Sequence, residues 1–402
     1  MLISSYIKKP SLLLYLFLII FLPFFSLRHE SFKGSIPIIF LLMIALFIFF
    51  KVCFLDKKIK KVFSFFDFLL FIYVAYASLS YIFHLDQEIG ITPVFKTIVY
   101  FLLYLFLKYF IRTNKPEDIA RSTLYGILSG TLLLFVVVVY ALYIQETIGS
   151  IMSGRISYFE FTYKIYGAVN SLIFGAVAYS SKDIMRSSLG EIFSFYLIAM
   201  IILAKFTKAK PFILSFIPVN LFYAIACFSR RSLLSATISP ILFLLTNSRK
   251  LWIKVVTALF FLVLIYILVH IIISESRLTD MGDTKNARIS QYSLALNRII
   301  ESPILGYGYG AKINVDQIIG DRYVHNFIIA SAYMMGVFGF LVSSCIYYYL
   351  VSGYIRGILK PHIIQYSYLL IIPILGLAVG STVEGIFSIP SWIILALYTS
   401  RQ

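Results

Sequence analysis

Charged residues are scarce in this sequence, because Asp, Glu, Lys and Arg make up only 13% of its 402 residues. Soluble globular proteins carry about 25%, so this chain has too little polar surface to cover itself in water. The sequence also lacks the alternation of apolar and polar residues that marks the strands of a membrane β-barrel. These two absences exclude a soluble domain and favour helices within a lipid bilayer.

Cysteine is also rare, and the three cysteines, Cys53, Cys227 and Cys345, all lie in apolar segments. Their spacing fits neither a disulfide framework nor a metal site, so we interpret them as small buried apolar residues. They give no sign of a bound cofactor, and we expect none.

Long apolar runs, in contrast, recur along the whole chain and are separated by short charged loops. About 20 apolar residues in a helix cross the roughly 30 Å of bilayer hydrocarbon. A span must be helical because lipid offers its backbone no hydrogen-bond partners. The candidate spans are residues 11–27, 35–55, 62–83, 94–111, 119–144, 161–180, 191–205, 211–228, 232–247, 251–273, 327–351, 363–380 and 388–400. We therefore predict an all-α polytopic membrane protein that forms a single integral membrane domain over residues 1–402.

The positive charges between these segments predict how the chain crosses the membrane, because cytoplasmic loops carry an excess of Lys and Arg. Lys8, Lys9, the loop 57–61 and the loop 112–121 all fit the cytoplasmic side if the N-terminus is inside. The later basic loops fit as well if segment 161–180 dips into the membrane or lies along its surface. This predicts about twelve transmembrane helices with both termini cytoplasmic, and thirteen spans remain the alternative.

The net charge of +17 is explained by cytoplasmic Lys and Arg and by anionic lipid headgroups, so we expect no nucleic-acid partner. Basic residues are nevertheless frequent on the predicted outer side, near Arg155, Arg230 and Arg231 and in the long loop 274–326. Long loops escape the charge rule, whereas Arg230 and Arg231 lie in a tight turn between two spans. We therefore predict a site for anions on the outer face.

The large late outer loop, residues 274–326, contains a predicted amphipathic helix over residues 287–302 that lies on the membrane surface. Asn286 is its predicted N-cap and Pro303 its stop signal. One face carries the apolar side chains, and the other the polar ones: Ile289, Tyr292, Leu296, Ile299 and Ile300 against Arg288, Gln291 and Arg298. This helix places basic residues beside the predicted anion site.

The segment after this helix, Gly306-Tyr307-Gly308-Tyr309-Gly310, lacks the strand and βαβ context of a dinucleotide-binding loop. A flexible turn that returns the chain to the membrane is predicted instead. His325 then lies at the outer mouth of the next span. A single histidine at a membrane interface is more often structural. A neutral imidazole is, however, the natural general base at neutral pH, and arginines on the same side could hold an anionic leaving group.

Residues 286–341 resemble the signature of the O-antigen ligase/polymerase superfamily. The similarity comprises an Arg-led amphipathic segment, a Ser-Pro-x-x-Gly-x-Gly turn, and His325-Asn326 followed by Gly336 and Gly339. A second family element, Arg and Leu separated by three residues at the outer end of a span, is matched by Arg230 and Leu234. An Arg after the fifth span is matched by Arg155, and the predicted topology is also similar.

The resemblance implies a glycosyltransferase that acts on undecaprenyl-diphosphate-linked glycans at the periplasmic face of the bacterial inner membrane. Arg288 and Arg230, helped by Arg231 or Arg155, would bind the diphosphate and stabilise its charge as it leaves. His325 would deprotonate the acceptor hydroxyl, which attacks the anomeric carbon with inversion. The implied partners are the lipid-linked oligosaccharide donor, a glycan acceptor, membrane lipid and a chain-length regulator.

Three further residues are candidates for substrate binding. Asn326 would orient the base or the acceptor, and Arg298 shares the predicted polar helix face with Arg288. Glu384, in the last outer loop, would bind the acceptor or orient His325; the alternative is a solvated loop carboxylate. Because no carboxylates lie at metal-ligand spacing on the predicted outer face, we predict an enzyme that needs no metal ion.

Two members of this superfamily share the site and differ in the acceptor. A polymerase adds the growing chain to another lipid-linked repeat unit, whereas a ligase transfers the chain to lipid A-core. The short spacing of 37 positions between Arg288 and His325 and the Ile-, Phe-, Tyr- and Lys-rich composition favour a polymerase, while the Arg-x-x-x-Leu and His-Asn elements are typical of ligases. A flippase for lipid-linked glycans is the alternative from another class, and its activity should survive the loss of His325.

Overall fold

The structure is a computed structural model of the 402-residue chain. It describes residues 10–23, 64–84, 91–144, 182–226, 230–247, 252, 255, 259, 281–314, 321–322, 324–359, 365–379 and 389–400. The chain divides into two compact units. The first comprises Met1–Lys57 and Tyr109–Ala236, and the second comprises Lys58–Lys108 and Thr237–Gln402.

The described residues are mainly helical, which confirms the predicted all-α class. The α-helices are α1 (Pro10–Phe21), α2 (Phe65–Ile82), α3 (Thr92–Thr113), α4 (Pro116–Ile144), α5 (Lys182–Leu203), α6 (Lys210–Leu214), α7 (Ile217–Ala226), α8 (Arg230–Asn247), α9 (Met281–Glu301), α10 (Phe327–Leu359), α11 (Ile371–Val379) and α12 (Ile389–Thr399). Short 3₁₀ helices cover Ala204–Phe206 and Gln365–Leu370. Ile313–Asn314 (β1) and Asp321–Arg322 (β2) form a two-residue antiparallel pair, with Ile313 opposite Arg322.

Four of the described helices are long and apolar enough to cross a membrane, namely Phe65–Ile82, Thr92–Thr113, Pro116–Val136 and Phe327–Leu359. Shorter apolar helices occupy Leu12–Phe21, Lys210–Leu221, Tyr366–Ala378 and Ile389–Thr399. The predicted spans 35–55 and 161–180 lie outside the described residues, and of 251–273 only residues 252, 255 and 259 are described. The prediction of helices that could cross a membrane is thus confirmed, and the number of spans and the large periplasmic loop stay predictions.

In the first unit, α1 packs against α4 through two glycines one helical turn apart. A Cβ added to Gly126 would lie 2.7 Å from the Cβ of Ile19, and one added to Gly130 would lie 2.8 Å from the carbonyl oxygen of Ile20. Small residues at this spacing let membrane helices approach closely, so that dispersion contacts and backbone groups hold them together. Tyr196 on α5 joins the pair, because its hydroxyl donates to the carbonyl of Ile19.

In the second unit, a buried ion pair joins α2 and α3. Lys108 Nζ lies 2.5 Å from Asp67 Oδ2, and both side chains are 0% exposed. The other carboxylate oxygen accepts a hydrogen bond of 2.5 Å from Tyr104, while Ser64 and Asp67 form a capping box at the start of α2. A buried pair is tolerated when further hydrogen bonds satisfy its remaining atoms, and these contacts meet that condition.

The predicted amphipathic helix is present but starts earlier than expected. α9 begins at Met281, six residues before the predicted start, and ends at Glu301, two residues before Pro303. Asn286 therefore lies inside the helix, and its prediction as the N-cap is wrong. Asn costs a helix interior less than about 0.7 kcal/mol relative to Ala, so the surrounding chain overrides this weak end signal.

Candidate active site

The structure describes the predicted site residues to different extents. Side chains are described for Arg231, Arg298, His325 and Asn326; for Arg230 and Arg288 only the helix that contains them is described; Arg155 and Glu384 lie outside the described residues. Arg231 belongs to the first unit, whereas Arg298, His325 and Asn326 belong to the second.

Asn326 is the N-cap of α10. Its Oδ1 accepts hydrogen bonds from the backbone N–H groups of Ile328 at 3.0 Å and Ile329 at 3.1 Å, which are two of the donors that a helix start leaves unpaired. Its Nδ2 donates to the carbonyl of Ala378 on α11 at 3.1 Å. The amide of Asn326 therefore fixes the start of α10 and ties it to α11.

His325 lies half-buried immediately before this cap. Its backbone carbonyl accepts a hydrogen bond of 3.3 Å from the hydroxyl of Tyr292 on α9, and the preceding Val324 is fully buried. The backbone of His325 is thus held on one side by α9 and on the other by the cap of α10. A general base needs such fixed placement, because proton transfer requires hydrogen-bond distance to the reacting group.

The helix that follows His325 is broken at Gly336. The backbone there has φ of +63° and ψ of −155°, a conformation that is essentially restricted to glycine. The N–H of Val337 does not continue the helix but donates to the carbonyl of Pro303 at 2.8 Å. The turn after α9 therefore lies directly against the break.

The same turn satisfies carbonyl groups that the break leaves without helical partners. The N–H of Tyr307 donates to the carbonyl of Tyr333, and the N–H of Gly308 donates to that of Met334, both at 3.0 Å. The hydroxyl of Ser80 on α2 also donates to Met334 at 3.1 Å. A buried polar group without a partner costs about 1–3 kcal/mol, so these bonds make the broken helix stable.

The glycines of the two motifs allow this close approach. A Cβ at Gly336 would lie 2.1 Å from the carbonyl oxygen of Ile304, and a Cβ at Gly306 would lie 2.5 Å from the carbonyl carbon of Met334. Gly306 has φ of +70°, which also disfavours any side chain. The glycine spacing that carries the resemblance thus has a structural cause, namely contact between two backbones about 30 residues apart in sequence.

The turn is anchored at its far end by a buried tyrosine. Tyr309 is fully buried, its hydroxyl lies 2.8 Å from Thr97 Oγ1 on α3, and its ring meets that of Tyr73 edge-on at 6.3 Å. Tyr73 in turn lies 2.9 Å from Ser331 Oγ on α10. The predicted turn is therefore present, and it is attached to three helices by side-chain and backbone contacts.

The faces of α9 divide differently from the predicted pattern. Gln291 is 2% exposed and Ala295 is fully buried, whereas the apolar Leu296 and Ile300 are 52% and 77% exposed. Gln291 therefore does not share an exposed polar face with Arg298. Position 288 is three residues before Gln291 and seven before Ala295, so the three positions share one face of α9.

Arg298 lies near the end of α9 in an exposed cluster. Its Nη1 is 3.3 Å from Glu301 Oε2, which also accepts a hydrogen bond of 2.8 Å from the hydroxyl of Tyr307. The ring of Tyr307 stacks on that of Tyr333 at 5.0 Å. The hydrogen bond with Tyr307 and then the charge of Glu301 raise the pKa of Arg298 above its usual value, so this side chain is always cationic.

In the first unit, Arg231 in the first turn of α8 is paired with a residue that the sequence analysis did not single out. Its Nη2 lies 2.5 Å from Oε1 of Glu191 on α5, and their side chains are 14% and 4% exposed. Glu191 could have been recognised from the sequence, because it is a carboxylate in the apolar segment 191–205 and ionisable residues in membrane helices usually have a function.

Among the described parts of the chain, no group of three or more His, Cys, Asp or Glu side chains could hold a metal ion. Glu384 lies outside those parts. Independence from metal ions therefore stays a prediction.

The comparisons with known proteins bear on this region. No curated protein matches the chain. A family model described as O-antigen ligase matches residues 212–344, which is about a third of the 402 residues. The matched segment contains Arg230 and Arg231, the glycine turn, His325-Asn326, and both Gly336 and Gly339. This match confirms the resemblance of the chain to the O-antigen polymerase/ligase superfamily.

Proposed function

We propose that the chain is a glycosyltransferase of the bacterial inner membrane that polymerises repeat units of O-antigen or a related surface polysaccharide at the periplasmic face. The observation that carries this proposal is the family match over a segment in which the backbone of His325 is fixed by α9, the cap of α10 and the broken helix. Catalytic groups need support of this kind.

In the proposed reaction, the imidazole of His325 takes the proton from a hydroxyl group of the acceptor glycan. The oxygen attacks the anomeric carbon of the donor, the bond from that carbon to the diphosphate oxygen breaks, and undecaprenyl diphosphate leaves. The reaction inverts the anomeric centre and draws its energy from the sugar–diphosphate bond. Asn326 orients the base through its cap, and Glu384 contributes to acceptor binding.

The negative charge that grows on the leaving diphosphate needs fixed cations. Arg288 and Arg230 are proposed for this role, with Arg155 helping. Arg288 is supported by its position on the face of α9 that carries Gln291 and Ala295. Arg298 is exposed beside Tyr307, and there it can bind a hydroxyl or an anionic group of the glycan.

The topology proposed with this function has twelve spans in one integral membrane domain, with both termini cytoplasmic and residues 274–326 in the periplasm. The partners are the lipid-linked donor, the glycan acceptor, surrounding lipid and a chain-length regulator. Exposure of Leu296 and Ile300 on α9 supports a helix that lies on the bilayer, because apolar side chains of a surface helix enter the headgroup region.

An O-antigen ligase is the second candidate, because the matching family model carries that description. The gene would be deleted in its own host, and the surface lipopolysaccharide would be separated on a silver-stained gel. A polymerase deletion leaves core with one repeat unit, whereas a ligase deletion leaves bare core and accumulates lipid-linked polymer. A deletion that leaves the ladder intact would contradict both functions.

The same strain tests the proposed base. Complementation with His325→Ala should not restore the ladder, because loss of a general base lowers a rate by about 10²–10⁴-fold. His84→Ala is the control, since His84 is also at a helix end and its Nδ1 lies 2.8 Å from the Ser80 carbonyl. A full ladder from His325→Ala, at equal amounts of protein in the membrane, would favour a flippase instead.

A further inference from the structure

A cluster of buried polar atoms in the first unit lacks partners. Glu191 and Ser232 are 3% and 0% exposed, and Arg231 forms its ion pair with Glu191 through one atom of each group. Glu191 Oε2, Arg231 Nε and Ser232 Oγ are buried and have no hydrogen-bond partner among the described residues. Three buried polar atoms thus lack a partner, on the two members of the ion pair and on Ser232, the residue that follows Arg231 in α8.

The surrounding serines differ from this cluster, because their hydroxyl groups are satisfied. Ser194 Oγ and Ser235 Oγ both donate to the backbone carbonyl of Ser232, at 2.8 Å and 2.9 Å. Among these side chains of the first unit, the polar atoms without a partner therefore belong to the Glu191–Arg231 ion pair and to the hydroxyl of Ser232. Arg and carboxylate groups commonly pair through two bonds, and here one atom of each is left over.

The chemistry of these three atoms selects a neutral ligand. Arg231 Nε is a donor, Glu191 Oε2 is an acceptor, and the hydroxyl of Ser232 can act as either. The charges of Glu191 and Arg231 cancel, and a phosphate group would meet the carboxylate of Glu191 at close range. A sugar hydroxyl, which donates and accepts at once, satisfies a donor and an acceptor that lie side by side.

We propose that Glu191, Arg231 and Ser232 form a binding site for hydroxyl groups of the glycan, at the sugar next to the diphosphate of the lipid-linked donor. This inference rests on the proposed function, which supplies the class of ligand. It reassigns Arg231 from the diphosphate to the sugar and leaves Arg230, its neighbour in α8, to the diphosphate. Glu191 becomes a binding residue that the sequence analysis had not included.

The test measures binding of two lipids to the purified full-length protein in nanodiscs. One is the lipid-linked repeat unit of the host, and the other is undecaprenyl diphosphate, which has no sugar. Ser232→Ala should weaken binding of the repeat unit on the order of tenfold, the effect of one lost hydrogen bond to a polar ligand. It should leave the affinity for undecaprenyl diphosphate unchanged.

Ser235→Ala is the matched control, because this hydroxyl is equally buried but already has a partner. It should change neither affinity and should lower thermal stability slightly, whereas Ser232→Ala should not lower stability. Glu191→Gln should weaken binding of the repeat unit and should leave the affinity for undecaprenyl diphosphate unchanged or higher.

Two results would overturn the inference. The first is that Ser232→Ala weakens binding of both lipids equally, which would make the cluster part of the diphosphate site. The second is an unchanged affinity of Ser232→Ala for the repeat unit. Polymerising activity is measured in the same wild-type samples. If the protein binds repeat units but makes no polymer, the proposed function is wrong, whatever the result for the binding site.

Discussion

Substitution of Gly336 by Ala tests whether the turn after α9 holds the broken helix α10 together. The new Cβ would lie 2.1 Å from the carbonyl oxygen of Ile304 and 2.7 Å from that of Pro303. Both are backbone atoms and cannot turn aside as the end of a side chain can. Ala at this position also adopts a backbone conformation that costs about 1–3 kcal/mol.

The clash must push the turn away from α10, and three backbone hydrogen bonds are then lost. These are the bonds from Val337 to Pro303 and from the N–H groups of Tyr307 and Gly308 to α10. At about 1 kcal/mol each, they raise the total destabilisation to roughly 4–6 kcal/mol. Domains are stable by only about 5–15 kcal/mol, so Gly336→Ala should fold poorly or lose its activity.

The assay is thermal unfolding of the purified protein in detergent, together with the lipopolysaccharide ladder in the complemented host. Gly353→Ala in the same helix is the control, because its Cβ would meet the hydroxyl end of the Tyr398 side chain at 2.4 Å. This contact is with a side chain and not with two backbone carbonyl groups, and Gly353 has a helical backbone, so the loss should be smaller than that of Gly336→Ala. Equal stability of Gly336→Ala and Gly353→Ala would refute the contact between the turn and the break.

Two further predictions concern packing within each unit. Lys108→Met should lower the free energy of unfolding by about 3–5 kcal/mol, because it leaves the carboxylate of Asp67 buried without its cation. Adding Asp67→Asn should recover part of this loss in a double-mutant cycle of thermal unfolding, and strictly additive losses would contradict the ion pair. Gly126→Leu should lower the free energy of unfolding by about 1–3 kcal/mol or more, since even a Cβ there would lie 2.7 Å from that of Ile19. Wild-type stability of this variant in thermal unfolding would contradict close packing of α1 and α4.

The positions of the candidate residues were visible in the sequence, whereas the reasons for the motif were not. The His-Asn pair and the glycines stand out by spacing alone. That Asn326 caps α10 follows from a local rule about helix starts. That Gly336 accommodates the carbonyl of Ile304 depends on two segments about 30 residues apart, and such contacts leave no periodic signal in a single sequence.

The pair of Glu191 and Arg231 illustrates the same limit. Each residue is unusual by itself, since one is an acid at the start of the apolar segment 191–205 and the other directly precedes the predicted span 232–247. Their partnership joins positions 40 residues apart and requires α5 to lie beside α8. Hydropathy predicts each helix but does not predict which helices are neighbours.

The sequence by itself determined that the chain is helical and lies in a membrane, because apolar segments in lipid can satisfy their backbone only internally. Only the tertiary structure decided which side of a helix packs against the rest of the protein and which side is exposed. On α9, Gln291 is buried while Leu296 and Ile300 are exposed along with Arg298. Lipid is as apolar as a protein interior, so apolar side chains that face lipid lose nothing by doing so. The hydropathy of a sequence therefore does not predict which face of such a helix is buried.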